Sequence, residues 1–515
     1  MIPPVMPRIL AETATRISMK STSPIIRSAR PAVAFPLIPL GLLVFAGLAL
    51  AWALPARAAE ASAQRVHPQA ASVGRAGPQP GDVFREYLWT HAGGDAGGSL
   101  RVGGRVGYGG GPVEFPHEFD LEHALRAEII LEKLLCHDGT RGLAISVNNH
   151  AWIDAPEASG IPEPQWEYMH HTYPVVAVPL TQLKAGGGNQ VRLRVSDEHP
   201  WKWPQNLIYG IHTRIYYDAA KKPHPTGRLV SPQPDTALGT KFALEAAAQS
   251  PNGRIRQVDF LGHHEDVNLE GDGEYSQWHC HFHRAALTNH IGSVTSAPWR
   301  LVWDTSWVPD QPKPFRLAAR VTDETGLTCF TEAVEGLTLQ RDGLSVELCR
   351  PYDVPKQWLT RTGEKAQKFR VTGDLSQAVA AQLVWVSWSP GYMEGLYLND
   401  QRVLDREGPR YAYYLHRVPV SDLSLLKPGE NTLRTGKTPL YDGKMVHGME
   451  LNWPGIMVLI QYRKSPAPSG FSEVSGSGGR GGLESPGPSR EVERVDNPRS
   501  GRTSHRHRPT AIALP

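Results

Sequence analysis

Ile145-Ser146-Val147-Asn148-Asn149 and Leu396-Tyr397-Leu398-Asn399-Asp400 decide the fold of this chain. Each is a short apolar alternation that runs into an Asn turn, the pattern of a half-buried strand ending in a left-handed corner. The same signals follow both. Leu183-Lys184-Ala185-Gly186-Gly187-Gly188-Asn189, Trp203-Pro204 and a strand ending Ile215-Tyr216-Tyr217 follow the first. Leu426-Lys427-Pro428-Gly429-Glu430-Asn431, Trp453-Pro454 and a strand ending Ile460-Gln461-Tyr462 follow the second. One order of strand, Asn turn, Gly/Asn turn, Trp-Pro and closing strand occurs twice, so a β-sandwich is written twice. Duplication favours a binding or scaffolding surface.

Outside the repeats the pattern is also β. Val191-Arg192-Leu193-Arg194-Val195 and Val384-Trp385-Val386-Ser387-Trp388 alternate with period two, and turn residues break the chain at intervals typical of sandwiches. Leu121 to Leu135 has helical character, yet Ala124, Glu128 and Ile129 fit a strand equally well. The expected fold class is all-β: a multi-domain β-sandwich with an N-terminal signal segment and a disordered C-terminal tail.

The 82–222 segment resembles galactose-binding-like jelly rolls. The residues that carry this are a first strand Val113 to Phe119, Ala124 to Leu131, Val147-Asn148 before a turn, a proline-flanked strand Val175 to Pro179, and the Leu183–Asn189 turn. The 346–463 segment is the second copy. Between them, 230–345 holds Trp303-Asp304-Thr305, then Leu317-Ala318-Ala319-Arg320-Val321-Thr322-Asp323 and Gly326, an order similar to bacterial immunoglobulin-like modules. The resemblance implies jelly roll, immunoglobulin-like domain, jelly roll. Secreted glycosidases carry such modules ahead of a catalytic barrel, and no barrel pattern is present in this sequence.

Arg27 and Arg30 precede an apolar run from Ala32 to Leu54, and Ala56-Arg57-Ala58 supplies a small-residue cleavage site. Residues 1–58 thus read as a signal peptide cut before Ala59 or as an uncleaved anchor, with the start at Met1 or Met19. Either places the remainder outside the cytoplasm: secreted, periplasmic or at the cell surface. Residues 59–81 read as a linker, and 464–515, rich in Gly, Ser, Pro and Arg, as a disordered tail. A formal charge of +3 offers no overall electrostatic case for nucleic acid. Cys136, Cys280, Cys329 and Cys349 match no zinc spacing and read as buried thiols with at most one bridge.

Four stretches suggest chemistry. Trp166, Tyr168, His170, His171 and Tyr173 cluster in one Pro-bounded segment, with Trp201 nearby. Sugar C–H faces stack on such rings while polar neighbours hold hydroxyls, so these six are the expected ligand-binding residues and a polysaccharide or glycan the expected partner. Trp388, Tyr392, Tyr397, His447 and Glu450 provide a similar set in the second jelly roll, whereas Trp203 and Trp453 are expected to fill cores. Asp266, Asn268, Glu270 and Asp272 alternate oxygen ligands before Gly273, which makes them candidate metal ligands with calcium as the candidate cofactor; an acidic Asp-Gly hairpin turn accounts for them equally simply. His279-Cys280-His281-Phe282-His283 places three imidazoles on one strand face, but about 13 Å separates its ends. A polar outer face is therefore preferred to a three-histidine zinc or copper site. His137-Asp138 has no nucleophile marked beside it and reads as a turn. The expected function is non-catalytic carbohydrate binding at the cell surface or in the matrix. The alternatives are a glycan-active hydrolase or lyase with a site between modules, using carboxylates such as Glu167, Asp304 or Glu450, and a purely structural or adhesive surface protein.

Overall fold

The computed structural model describes residues 77–91, 98–104, 108–157, 167–196, 199–283 and 286–464. The signal segment 1–58, most of the linker, Trp166 and the tail beyond Lys464 lie outside the described residues. Among the described residues every regular element is a β-strand or a single 3-10 turn, and no helix is long and apolar enough to cross a membrane. The ambiguous Leu121–Leu135 stretch resolves into a strand, Ala124–Leu135.

The two jelly rolls share their corner chemistry atom for atom. Asn148 and Asn149 have φ of 50° and 65°, and Asn399 and Asp400 have 47° and 68°, the left-handed region that Asn and Asp tolerate best. In the first, Asn148 Nδ2 donates to the Gln182 carbonyl (2.8 Å) and to Asn189 Oδ1 (2.9 Å), while Asn148 Oδ1 accepts the Gln190 N–H. In the second, Asn399 Nδ2 donates to the Leu425 carbonyl and to Asn431 Oδ1 (both 2.7 Å), while Asn399 Oδ1 accepts the Thr432 N–H. Asn189 and Asn431 close their own loops by the same bonds to Lys184 and Lys427. Amide side chains thus satisfy backbone groups that the turns would otherwise leave buried and unpaired.

The first module packs strands Val83–Thr90, Ala124–Leu135 and Asn206–Tyr217 against a four-stranded sheet that includes Leu143–Val147 and Gln190–Val195. Ile129, Leu131, Ile145, Leu193 and Ile211 fill the space between. The third module pairs two five-stranded sheets around Trp385, Phe369, Leu396 and Leu433. The middle module is a sandwich too, with Trp303 and Leu317 in opposite sheets. Arg300–Asp304 pairs with Lys241–Gln249, and Phe315–Asp323 pairs with Ile255–Glu265 and Leu327–Phe330.

The modules are not beads on a string. Val83–Arg85 pairs with Leu327–Cys329, so one thirteen-stranded sheet runs through the first and middle modules. At this seam Glu86 takes Arg214 of the first module (2.6 Å) and Arg320 of the middle one (2.7 Å). Burial alone would raise the Glu86 pKa, but Arg320 and Arg214 hold it at about 2. Met169 of the first module lies in the core of the third, and the Met169 carbonyl accepts the Trp453 N–H at 2.7 Å. Val267 of the middle module packs with Val346, Val384 and Met457 of the third. Among the described residues all four cysteines are free thiols.

Candidate functional site

The loop between strands Ile255–Glu265 and Ser276–Trp278 emerges where the three modules meet. Val267 anchors it in apolar surroundings, and Gly271 (φ 71°) passes the first module so closely that a Cβ would lie 2.9 Å from the His171 carbonyl. The alternation of the loop splits its polar side chains between two tasks. Asn268 Oδ1 accepts the Gly271 N–H (3.0 Å), and Asp272 Oδ1 accepts from Glu274 N–H (3.0 Å) and Gln277 Nε2 (3.1 Å). These two hold the turn. Asp266 and Glu270 point instead into a group of histidines.

His290 lies between the two carboxylates. Its Nδ1 is 3.1 Å from Asp266 Oδ2 and its Nε2 is 3.2 Å from Glu270 Oε1. His264 Nε2 is 3.5 Å from Asp266 Oδ2, and His279 Nδ1 is 3.2 Å from Glu270 Oε1. Donor atoms of Glu270, His281 and His290 all fall within 4.8 Å of one another. Burial would raise both carboxylates. His264 and His290 nonetheless hold Asp266 well below its usual range, and His290 and His279 do the same for Glu270. Burial opposes charge on His290 as well, yet Glu270 and Asp266 hold it at about 10. Burial pushes His264 and His281 down to about 4. Asp272 rises to about 6 through burial and the nearby Glu270.

Two cavities meet at this group. One of about 190 Å³ opens toward the third module and is lined by His171, Tyr173, His281, His283, Tyr413 and Trp453. A larger cleft of about 520 Å³ lies between the first and middle modules, where Tyr173, Glu270, Asp272, Gln277, Trp278 and His281 face it. Tyr173 and His281 line both. The floor of the smaller cavity has its own charged group: the buried Glu132 carboxylate stands 3.5 Å from His171 and 3.4 Å from His283. Histidines and the loop 266–274 carboxylates therefore form one polar junction at the meeting point of the modules.

The expected residues distribute unevenly. His171 and Tyr173 reach the cavities, whereas His170 is buried against Trp453 and Tyr168 packs across the seam toward His447. Tyr168 has a φ of 60°, unusual for a bulky side chain and maintained by its place in the seam. Trp201 sits apart, stacked on His199 at 4.5 Å. Of the two Trp-Pro motifs, neither tryptophan fills a core: Trp203 is 39 % exposed beneath Arg101, and Trp453 lines the smaller cavity. The expected common face of His279, His281 and His283 does not form either. His279 precedes the strand Cys280–His283 and joins Glu270, while His283 turns to Glu132. Sequence reasoning missed His290, His264 and Trp278. A hairpin was the available signal, since Cys280 pairs with Asn289 and so brings His290 beside His279.

No family model matches the chain, and no curated relative does. Among solved structures, a family 86 glycoside hydrolase in complex with neoagarooctaose is similar at 12 % identity, covering 47 % of this chain and 34 % of that one, with a TM-score of 0.19. The fibronectin(III)-like modules of Clostridium thermocellum CbhA are 14 % identical, covering 39 % and 80 %, TM-score 0.16. A DUF4785 family protein from Legionella pneumophila is 10 % identical, covering 76 % and 86 %, TM-score 0.19. The chain spans about a third of the glycoside hydrolase structure. TM-scores this low carry no argument about function.

Proposed function

We propose that this is an extracytoplasmic glycan-binding protein whose ligand seat is the cleft between the first and middle modules. The extracytoplasmic address rests on the Arg27–Ala58 targeting pattern. One observation carries the seat: Trp278 and Tyr173 line the same cleft as Asp272, Glu274 and Gln277, with a volume of about 520 Å³. Rings that offer C–H stacking beside groups that bind hydroxyls are what a sugar requires, and the volume lies within the range of small-ligand sites. The Trp278 ring rests on Phe330 at 5.2 Å, and its indole N–H has no protein acceptor. Such a ring is preorganised, so little entropy is lost when a sugar stacks on it.

A glycan array probed with the full-length protein, followed by calorimetry on the best ligand, tests this. Trp278→Ala and Gln277→Ala should each weaken binding about fivefold, the equivalent of roughly 1 kcal/mol for one stack or hydrogen bond. Trp201→Ala should leave it unchanged. An array without binding would favour the structural reading. Release of reducing ends from the bound glycan would replace binding with hydrolysis, and an unsaturated product with a lyase.

A further inference from the structure

We propose that Glu270, His281 and His290 form a three-ligand site for a divalent cation of the zinc class, with a fourth position left toward the cavities. This goes beyond glycan binding and does not depend on it. A carbonyl oxygen only accepts, so His279 donates Nε2–H to the His264 carbonyl at 2.7 Å, and its Nδ1 lies 3.2 Å from Glu270 Oε1. A carboxylate likewise only accepts, so His290 donates Nδ1–H to Asp266 Oδ2 at 3.1 Å, which leaves Nε2 as the atom that either donates to Glu270 or, without its proton, binds a cation. His290 Nε2 and Glu270 Oε1 are 3.2 Å apart. A cation bound there would take the place of the proton that His290 otherwise shares with Glu270, in a group whose Glu270, His281 and His290 ligand atoms all lie within 4.8 Å of one another.

The remaining atoms strengthen the case. Glu270 Oε2 is buried with no hydrogen-bond partner, and its side chain is only 6 % exposed. His281 Nδ1 is also buried and unpartnered. The 3.2 Å between His290 Nε2 and Glu270 Oε1 is close to the spacing of two ligands that each sit about 2.1 Å from a tetrahedral ion. Two imidazoles and one carboxylate are a donor set that zinc takes in sites that keep a fourth position for water or substrate. Calcium takes six to eight oxygens, and this group does not supply them. Asp266 occupies the outer position expected of such a site: it orients His290 from the far side of the ring. His281 lines both cavities, which puts the fourth position on the ligand side.

The full chain without a histidine tag should be stripped with a chelator and titrated calorimetrically with zinc chloride. One equivalent per chain is expected to bind. His281→Ala should abolish the event, and Asp266→Asn should weaken it roughly 10- to 100-fold through the ring it orients. His150→Ala, at an exposed histidine, should change nothing. Because the variants disturb a buried group, the wild type also receives cobalt(II), whose visible spectrum should show a four- or five-coordinate ion displaced by zinc. Absence of zinc binding would mean that protons alone balance the cluster, and the proposal falls. It falls equally if calcium displaces the zinc, or if zinc binding survives both His281→Ala and Glu270→Gln.

Discussion

Glu450 is fully buried at the seam between the first and third modules, 3.2 Å from His447 Nε2. The pair has the geometry of a salt bridge but is neutral. Burial, with Glu167 adding to it and Arg361 opposing it, pushes the Glu450 carboxyl up to about 8. Burial and Arg361 push His447 down to about 4. Cys136, Tyr168 and Tyr413 also feel Glu450. The folded state keeps the Glu450 proton, while the unfolded chain gives it up near 4.5. Its contribution is therefore complete below that pH and is lost as pH rises toward 8. His447 acts in the opposite sense, but only from about 4 to 6.5. Between pH 6.5 and 8 Glu450 accounts for about 2 kcal/mol of lost stability, and His290, held at about 10, acts in the same sense. Denaturant midpoints should fall over that interval in the wild type and less steeply in Glu450→Gln; parallel curves would show that the carboxyl is ionised in the fold. At this scale the sequence was half legible. Period-two alternation put His281 on a face with His279 and His283 that does not form, and it does not show which loop delivers a carboxylate to meet His281.

The twin Asn corners were the most legible elements, because turn chemistry is local. An Asn at positive φ, followed downstream by a Gly-rich turn that ends in Asn, marks both strands and the loop that ties them. Asn148→Ala and Asn399→Ala each remove three half-buried hydrogen bonds and place Ala in a left-handed conformation. Each should cost about 2–4 kcal/mol of folding stability by urea unfolding. The sites share no partner, so the double variant should lose the sum of the single losses. The hairpin Cys280–His283 with Ala286–Asn289 was less legible. Reading His279 to His283 as one strand hid the return strand, and with it His290. The Trp166–Tyr173 segment was misjudged for a related reason. Aromatic clustering is the same signal for an exposed sugar platform and for a strap that docks on a neighbouring module. Here the strap inserts Met169 into the third core, and among its described residues His171 and Tyr173 reach the cavities.

The all-β, sandwich character of the chain was legible in the sequence, yet the seams between its sheets could not be seen. Repeated patterns report each module's own core, whereas the residues that join modules carry no period. The joint between the first two is a shared sheet locked by Glu86 between Arg214 and Arg320. Glu86→Gln leaves both guanidinium groups buried beside a neutral amide and should cost roughly 3–5 kcal/mol. Because the sheet is continuous, that loss should lower one cooperative unfolding transition for both modules rather than split it. This packing creates a polar junction that no single module contains, and the account places function there. The most direct test is hydrogen–deuterium exchange on the full chain with and without the best array glycan. Protection is expected at Thr172–Val175 and at Glu270–Trp278, on the two walls of the cleft. Protection confined to Trp201 and Trp203, or none at either wall with the glycan bound, would contradict it.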